Sequence, residues 1–213
     1  ACADGDVITF HKEMGLVADI FSEEILSRLP GHMAIGHVRY STTGSSELKN
    51  AQPVVVDFES GSIAVAHNGN ITNGLTLRRE LISQGAICQS TSDTEVILHL
   101  VSRSKKSRII DRYIDALRSL EGAYALVALT NKKLIGARDP LGIRPLILGE
   151  LNGAYILCSE TCALDIIGAK FVREIENGEV VVISDEGIES HRPFPKQQAR
   201  PCIFEYIYFS RPD

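Results

Sequence analysis

The feature that most constrains this chain is a change of hydrophobic period at Gly122. Before it, Val96, Ile97, Leu100 and Val101, and then Ile110, Ile114, Leu117 and Leu120, keep helical spacing, so two helices follow one another. After it, the apolar runs shorten to strand length, with Gly, Asn and Pro between them. Strands are expected there at residues 123–130, 134–137, 146–149, 155–158, 171–174 and 179–184, with a short helix at 161–167. Asn152-Gly153 is a hairpin signal between two of these strands, and Asn177-Gly178 lies between another two. Upstream, short strands are expected at 7–11, 33–38 and 62–66, and a helix at 22–28 stopped by Pro30-Gly31. A further helix is expected at 72–84, with Gly85 as its C-terminal cap. Ser92-Asp93-Thr94-Glu95 has the spacing of a capping box. Strands, then three helices, then strands with many tight turns, predict an α+β fold of mostly antiparallel sheets.

With 213 residues the chain suits one domain or at most two, and can bury a core without metals or disulfides. The net charge of −5, from 27 acids against 22 bases, carries no nucleic-acid footprint. The one basic cluster, RSKKSR at 103–108, reads as a solvated connection between helices. No apolar run approaches the roughly 18 residues a membrane helix needs, and no signal peptide opens the chain. Cys2, Cys88, Cys158, Cys162 and Cys202 are odd in number and irregularly spaced, which argues against a secreted disulfide framework and for a reducing cytoplasm. The chain starts without methionine and stops just after an apolar aromatic stretch at 203–209 (IFEYIYF), so both ends read as cuts in a longer protein. The one linker-like stretch is 192–201, with three prolines and a Gln-Gln pair.

Several residues suit acyl-transfer chemistry. In His67-Asn68-Gly69-Asn70, Asn68 offers a fixed amide N–H₂ and Gly69 a backbone N–H that a ligand can approach closely, two donors for an oxyanion hole. Taken alone, the tetrapeptide reads more readily as a strand-to-helix turn. Arg39, at a strand end before Ser41, Thr42 and Thr43, suits bidentate capture of a carboxylate, although a surface ion pair would use the same residues. Asp93, in the first turn of a helix, suits a substrate ammonium and equally suits the helix dipole. Cys158 and Cys162 lack a second ligand pair and read as packing residues rather than a metal site. DPLGIRP, at 139–145, reads as a tight turn between strands.

The order and spacing of HVRYSTTG (37–44), HNGN (67–70), SDTE (92–95), DPLGIRP (139–145), SETCA (159–163) and EYIYFSRPD (205–213) resemble the glutaminase half of amidophosphoribosyltransferases along essentially the whole chain. HxRxxT, HNG and SDTE are shared with class II glutamine amidotransferases generally. EYIYFSRPD resembles the junction to the phosphoribosyltransferase part, so the resemblance divides the chain into 1–200, glutaminase, and 201–213, the start of that junction. It implies an N-terminal-nucleophile hydrolase fold, a four-layer α/β/β/α sandwich of antiparallel sheets, with the first strand and helix missing. It implies hydrolysis of glutamine to glutamate and ammonia, which attacks phosphoribosyl pyrophosphate to give phosphoribosylamine, the start of purine synthesis. By position Asn68 and Gly69 would form the oxyanion hole, Arg39 and Thr42 would hold the glutamine carboxylate, and Asp93 its amino group.

The sequence departs from that family at its start. Members begin with a cysteine whose thiolate attacks and whose α-amine is the base. Here ACADGDVITFHKEMGLV (1–17) matches a later segment, so Cys2 does not match the nucleophile and the chain alone is expected to be inactive. The expected partners are glutamine and, in the parent, phosphoribosyl pyrophosphate, within a homo-oligomer, with neither nucleic acid nor membrane. No cofactor is expected in this chain. The resemblance implies magnesium in the phosphoribosyltransferase part; Cys202 matches a position that some members use as an iron–sulfur ligand and others keep without a cluster, and it reads as a buried structural cysteine. The rival readings are another class II amidotransferase, such as a glucosamine-6-phosphate synthase or an asparagine synthetase, and a non-catalytic glutamine-binding or scaffold domain.

Overall fold

The computed structural model describes residues 1–39, 47–58 and 61–207, with the side chains of 205 and 206 excepted. Its contacts divide the chain into two compact units. One takes Ala1–His67, Ile71–Glu121 and Val127–Leu134; the other takes Asn68–Asn70, Gly122–Leu126 and Ile135–Asp213.

In the first unit, β1 (Cys2–Ala3) pairs antiparallel with β2 (Ile8–Thr9) and with β3 (Met33–Ala34). The turn after β1 is shaped by the Asp4 carboxylate, which accepts the N–H groups of Asp6 and Val7, both at 2.9 Å. Helices α1 (Val17–Ile20) and α2 (Glu23–Ser27) follow it. The antiparallel pair β4 (Val54–Phe58) and β5 (Gly61–Ile71) sets Val54 opposite Val65. Then come the three expected helices, α3 (Gly74–Ser83), α4 (Thr94–Arg103) and α5 (Ile109–Leu117). Val96, Ile97 and Val101 of α4, and Ile110, Tyr113 and Leu117 of α5, are buried at helical spacing. Ile63, Ala64, Val65 and Ala66 of β5 are buried as well, so four consecutive residues of this strand face protein on both sides. At 104–108 the basic connection is largely exposed, as expected.

β6 (Gly122–Thr130) is buried at 124–126 and at Ala128 and Leu129, and β7 (Leu134–Arg138) is wholly buried. In the second unit β8 (Ile147–Leu151) pairs antiparallel with β9 (Ala154–Cys158) and with β10 (Lys170–Glu174). α6 (Thr161–Ile167) lies between β9 and β10 in the chain, and β11 (Val180–Ser184) pairs antiparallel with β12 (Gly187–His191). α7 (Phe204–Ile207) follows. The two smaller sheets, one in each unit, have the orders β2-β1-β3 and β10-β8-β9. The Asn152-Gly153 hairpin forms as expected: Leu151 faces Ala154, with φ of 52° and 86° at the two loop residues, the type I′ pattern.

Asn177-Gly178 forms the expected turn, and it joins strands of different sheets, since β10 pairs with β8 and β11 with β12. The buried Glu179 sets this connection, accepting from Arg173 at 2.8 and 2.7 Å, from Ser190 Oγ at 2.6 Å and from the Glu176 N–H at 2.6 Å. The capping box is half made. Ser92 Oγ accepts the Thr94 N–H at 3.3 Å, but Glu95 turns to the N–H groups of Gln89 (2.6 Å) and Ser90 (3.0 Å) instead. A buried carboxylate needs several donors, and the 88–90 segment supplies them. Among the described residues no helix is long and apolar enough to cross a membrane.

Candidate active site

His67-Asn68-Gly69-Asn70 lies inside β5, which continues to Ile71, so the strand-to-helix turn is replaced by extended backbone. Side chains hold it there. The Gln52 amide clamps the His67 peptide, with Oε1 accepting its N–H at 2.6 Å and Nε2 donating to its carbonyl at 3.4 Å. His37 Nε2 lies 3.2 Å from the same carbonyl. Burial pushes the His37 pKa below the ordinary imidazole value, and a neutral ring protonated at Nε2 suits this contact. Gly69 has φ of 145°, a conformation that a side chain would strain. It is exposed and Asn68 half-buried.

Asp93 immediately precedes α4, but its side chain caps no helix N–H. Its Oδ2 instead accepts the Ile71 N–H at 2.9 Å and lies 3.7 Å from His67 Nδ1. The Asp93 side chain is 30% exposed, whereas that of His67 is 1% exposed. Burial alone would raise the Asp93 pKa. The His67 ring and the N–H groups of Ile71 and Thr94 outweigh it, so the carboxyl is held below its ordinary value. Asp93 is therefore an anion at neutral pH with one side open, as a ligand ammonium requires. The strand expected at 33–38 ends at Ala34, so Arg39 lies on a loop five residues beyond it; it is half-buried and bears on the His37 ring through its charge. Thr42 lies outside the described residues. In this unit the Arg39 segment and Asp93 both reach His67, one through His37 and the other directly.

In the second unit Asn68 Oδ1 accepts from Arg144 Nη2 at 2.7 Å, and Nδ2 lies 3.4 Å from Ser159 Oγ. Arg144 stands on the DPLGIRP segment, which is built around Asp139. That residue is fully buried, and its carboxylate accepts four backbone N–H groups: Leu141 (3.1 Å), Ile143 (3.0 Å), Arg144 (3.0 Å) and Tyr124 (3.3 Å). Gly142 has φ of 64°, and a Cβ there would stand 2.0 Å from Asn177 Oδ1, so only glycine fits. The linker-like stretch runs beside this loop, with the Arg200 and Cys202 N–H groups donating to the carbonyls of Leu141 (2.8 Å) and Ile143 (3.4 Å). Sequence reasoning missed Gln52, His37 and Arg144, because each acts on a residue distant in the chain. The family-like strings HVRYSTTG and DPLGIRP contain two of them, His37 and Arg144, without giving them a role.

Among the described residues one group, Cys88, Glu95 and His99, has metal-ligand spacing. Its central carboxylate already serves four donors, including Ser90 Oγ at 2.8 Å and Arg78 Nη2 at 3.3 Å, and the guanidinium opposes a cation there. Cys202 is half-exposed rather than buried and falls in no such group. Cys158 and Cys162 are thiols of intermediate burial. Cys2 is a rung of β1 between Thr9 and Ala34.

A family model described as a glutamine amidotransferase domain matches residues 37–165. The amidophosphoribosyltransferase of Rhizobium etli is 56% identical over 99% of this chain, and 44% of its own length is covered. That of Bacillus subtilis is 45% identical, with 99% of this chain and 44% of its own length covered. The solved structure of glutamine phosphoribosylpyrophosphate amidotransferase from B. subtilis, complexed with ADP and GMP, matches with a TM-score of 0.94 at 44% identity, covering 100% of this chain and 46% of that one. The chain thus spans less than half the length of these relatives. The expected α+β fold of antiparallel sheets, that of an N-terminal-nucleophile hydrolase, is the fold they share. The chain belongs to the glutamine amidotransferase domain family.

Proposed function

We propose that this chain is the glutamine-hydrolysing part of an amidophosphoribosyltransferase. The observation that carries this reading is 56% identity to one such enzyme over 99% of the chain. In the proposed reaction Arg39 and Thr42 hold the α-carboxylate of glutamine and Asp93 its ammonium. A thiolate attacks the side-chain carbonyl carbon, and the oxygen takes up the negative charge. Asn68 Nδ2–H and the Gly69 N–H donate to that oxygen, and preorganised donors at developing charge are worth far more there than in water. Ammonia leaves with a proton, and water cleaves the thioester to glutamate. The resemblance implies an N-terminal cysteine as nucleophile, and Cys2, a ladder residue of β1, is not assigned that role.

For the whole protein we extend the reading to the second half-reaction. Ammonia attacks C1 of phosphoribosyl pyrophosphate, the bond to pyrophosphate breaks, and phosphoribosylamine forms. Magnesium would belong to that step, a homo-oligomer to the assembly and a reducing cytoplasm to its setting. Cys202 would supply one sulfur ligand if the whole protein carried an iron–sulfur cluster, and is otherwise a structural thiol.

The test is Asn68→Ala in the full-length protein carrying this chain. Glutamine-dependent turnover is expected to fall by about 10²–10³, the cost of one oxyanion donor. The KM for glutamine should move less, and ammonia-dependent synthesis should survive. A parallel loss of both activities would make Asn68 structural and reject the reading.

A further inference from the structure

We propose that Arg144 is a positioning residue that fixes which face of the Asn68 amide meets the substrate, an inference that rests on the oxyanion reading of Asn68. A primary amide has one accepting end and one donating end of almost equal size. A half-turn about the last side-chain bond exchanges them, and an Asn so flipped would present oxygen to a developing oxyanion. Arg144 breaks that symmetry. Its guanidinium has donors only, and Nη2 is 2.7 Å from Oδ1. The flipped amide would set N–H₂ against N–H and lose a charge-assisted bond. Nδ2 is thereby committed to the opposite side. Ser159 Oγ stands 3.4 Å from it and engages one of the two N–H bonds, which leaves the second for a ligand. The charged donor on Oδ1 also draws electron density from the amide and strengthens N–H donation.

The surroundings of Arg144 support a device of this kind. Its own N–H donates to Asp139 Oδ2 at 3.0 Å, and its carbonyl accepts Arg138 Nε at 2.9 Å. Arg138 in turn donates to the Ile175 carbonyl at 2.7 Å and to the Gly142 carbonyl at 3.3 Å. Backbone held from both sides in this way aims the side chain at a fixed point 76 residues away in sequence. A bare turn between β7 and β8 would need none of these bonds.

The experiment is a double-mutant cycle on glutamine hydrolysis in the full-length protein, using N68A, R144A, R144K and N68A/R144A. R144A is expected to lower kcat about ten- to a hundredfold, part of the 10²–10³ expected for removing the donor itself, with KM nearly unchanged. R144K should recover only part of this, because a point charge lacks the fixed fork. In the N68A background R144A should cost less than about twofold, since it acts through an amide no longer present. Effects that multiply would overturn the proposal, as would a rise in KM at unchanged kcat, which marks a direct substrate contact. Full activity of R144A beside an impaired N68A would also overturn it. Full activity of N68A would instead reject the oxyanion reading. Should R144A fail to fold, R144M, which keeps most of the apolar stem, carries the same cycle, with folding checked by its melting temperature.

Discussion

Two aspartates occupy comparable places, each at the start of a segment that follows a strand or turn, and they are used in opposite ways. Asp139 is fully buried and accepts four backbone N–H groups. Its acceptor capacity is spent on its own loop, so it builds structure and meets no ligand. Asp93 accepts the Ile71 N–H, feels the Thr94 N–H more weakly, stands near a buried imidazole, and keeps 30% of its side chain exposed. It is ionised, anchored and incompletely satisfied. The contrast separates a carboxylate that shapes a loop from one that can recognise a cation, although sequence shows both simply as Asp. Asp139 organises the loop that aims Arg144 at Asn68, while Asp93 keeps part of its acceptor capacity open.

The comparison can be broken most directly at Asp139. Asp139→Ala would strand four N–H donors, and each buried unsatisfied donor costs about 1–3 kcal/mol. Allowing for relaxation and water entry, a loss of about 3–5 kcal/mol is expected, the range for breaking a buried charged cluster. Asp93→Ala removes one backbone acceptor at a partly open site and should cost about 1 kcal/mol. Chemical-denaturation midpoints of the two variants, compared at equal m-values, decide the matter. Equal destabilisation would mean that Asp93 is also a structural acid.

A smaller effect, in the opposite order, is expected for ligand binding. Folded Asp93→Ala should bind glutamine more weakly by about 1–3 kcal/mol, the worth of a hydrogen bond to a charged group. Titration calorimetry on the folded variant measures this separately from stability. Unchanged affinity would remove Asp93 from the recognition set and leave it a strand anchor for Ile71.

What the sequence revealed followed the range of the interactions. α6 matches the expected helix at 161–167, and the Asn152-Gly153 hairpin forms where expected, because both rest on residues within a few positions. β4 was missed although its Val54-Val55-Val56 run is strand-like, and β12, with Gly187, Glu189 and Ser190, lacks a continuous apolar face. Two-residue strands such as β1 exist only through their partners. At the site, Asn68, Gly69, Arg39 and Asp93 were reached through motif order, since each residue type taken alone had an ordinary explanation. The Gln52 clamp on His67 spans 15 positions and the Arg144 bond to Asn68 spans 76, and no periodicity encodes such pairs. For the same reason the extended state of HNGN was not foreseen. Its residues favour turns, and side chains from elsewhere hold it as strand.

The smallest expected effect lies in pH dependence, and it sharpens the contrast without unfolding anything. The His67 ring and nearby N–H groups hold the Asp93 carboxyl below its ordinary value of 3.8, against the opposing pull of burial. A depressed folded pKa means that the charged group contributes fully to stability above the ordinary value. That contribution is lost as pH falls through the lowered folded value. Glutamine affinity should follow the same sign, staying level from pH 7 down to about 5 and falling only in the acid range, where a carboxylate of depressed pKa gains its proton. The α-carboxylate of free glutamine is held below the peptide α-carboxyl value by its own α-ammonium, and at still lower pH its protonation would weaken any contact with Arg39. Asp93→Asn separates the two. It keeps the shape and removes the charge, so its affinity should start lower and retain only the part of the acid fall that belongs to glutamine itself. The difference between the wild-type and Asp93→Asn profiles then reports Asp93 alone. If that difference already closed between pH 6 and 5, the carboxyl would have a raised pKa. Asp93 would then be a buried, neutralised acid, closer in kind to a packing residue than to a ligand for an ammonium.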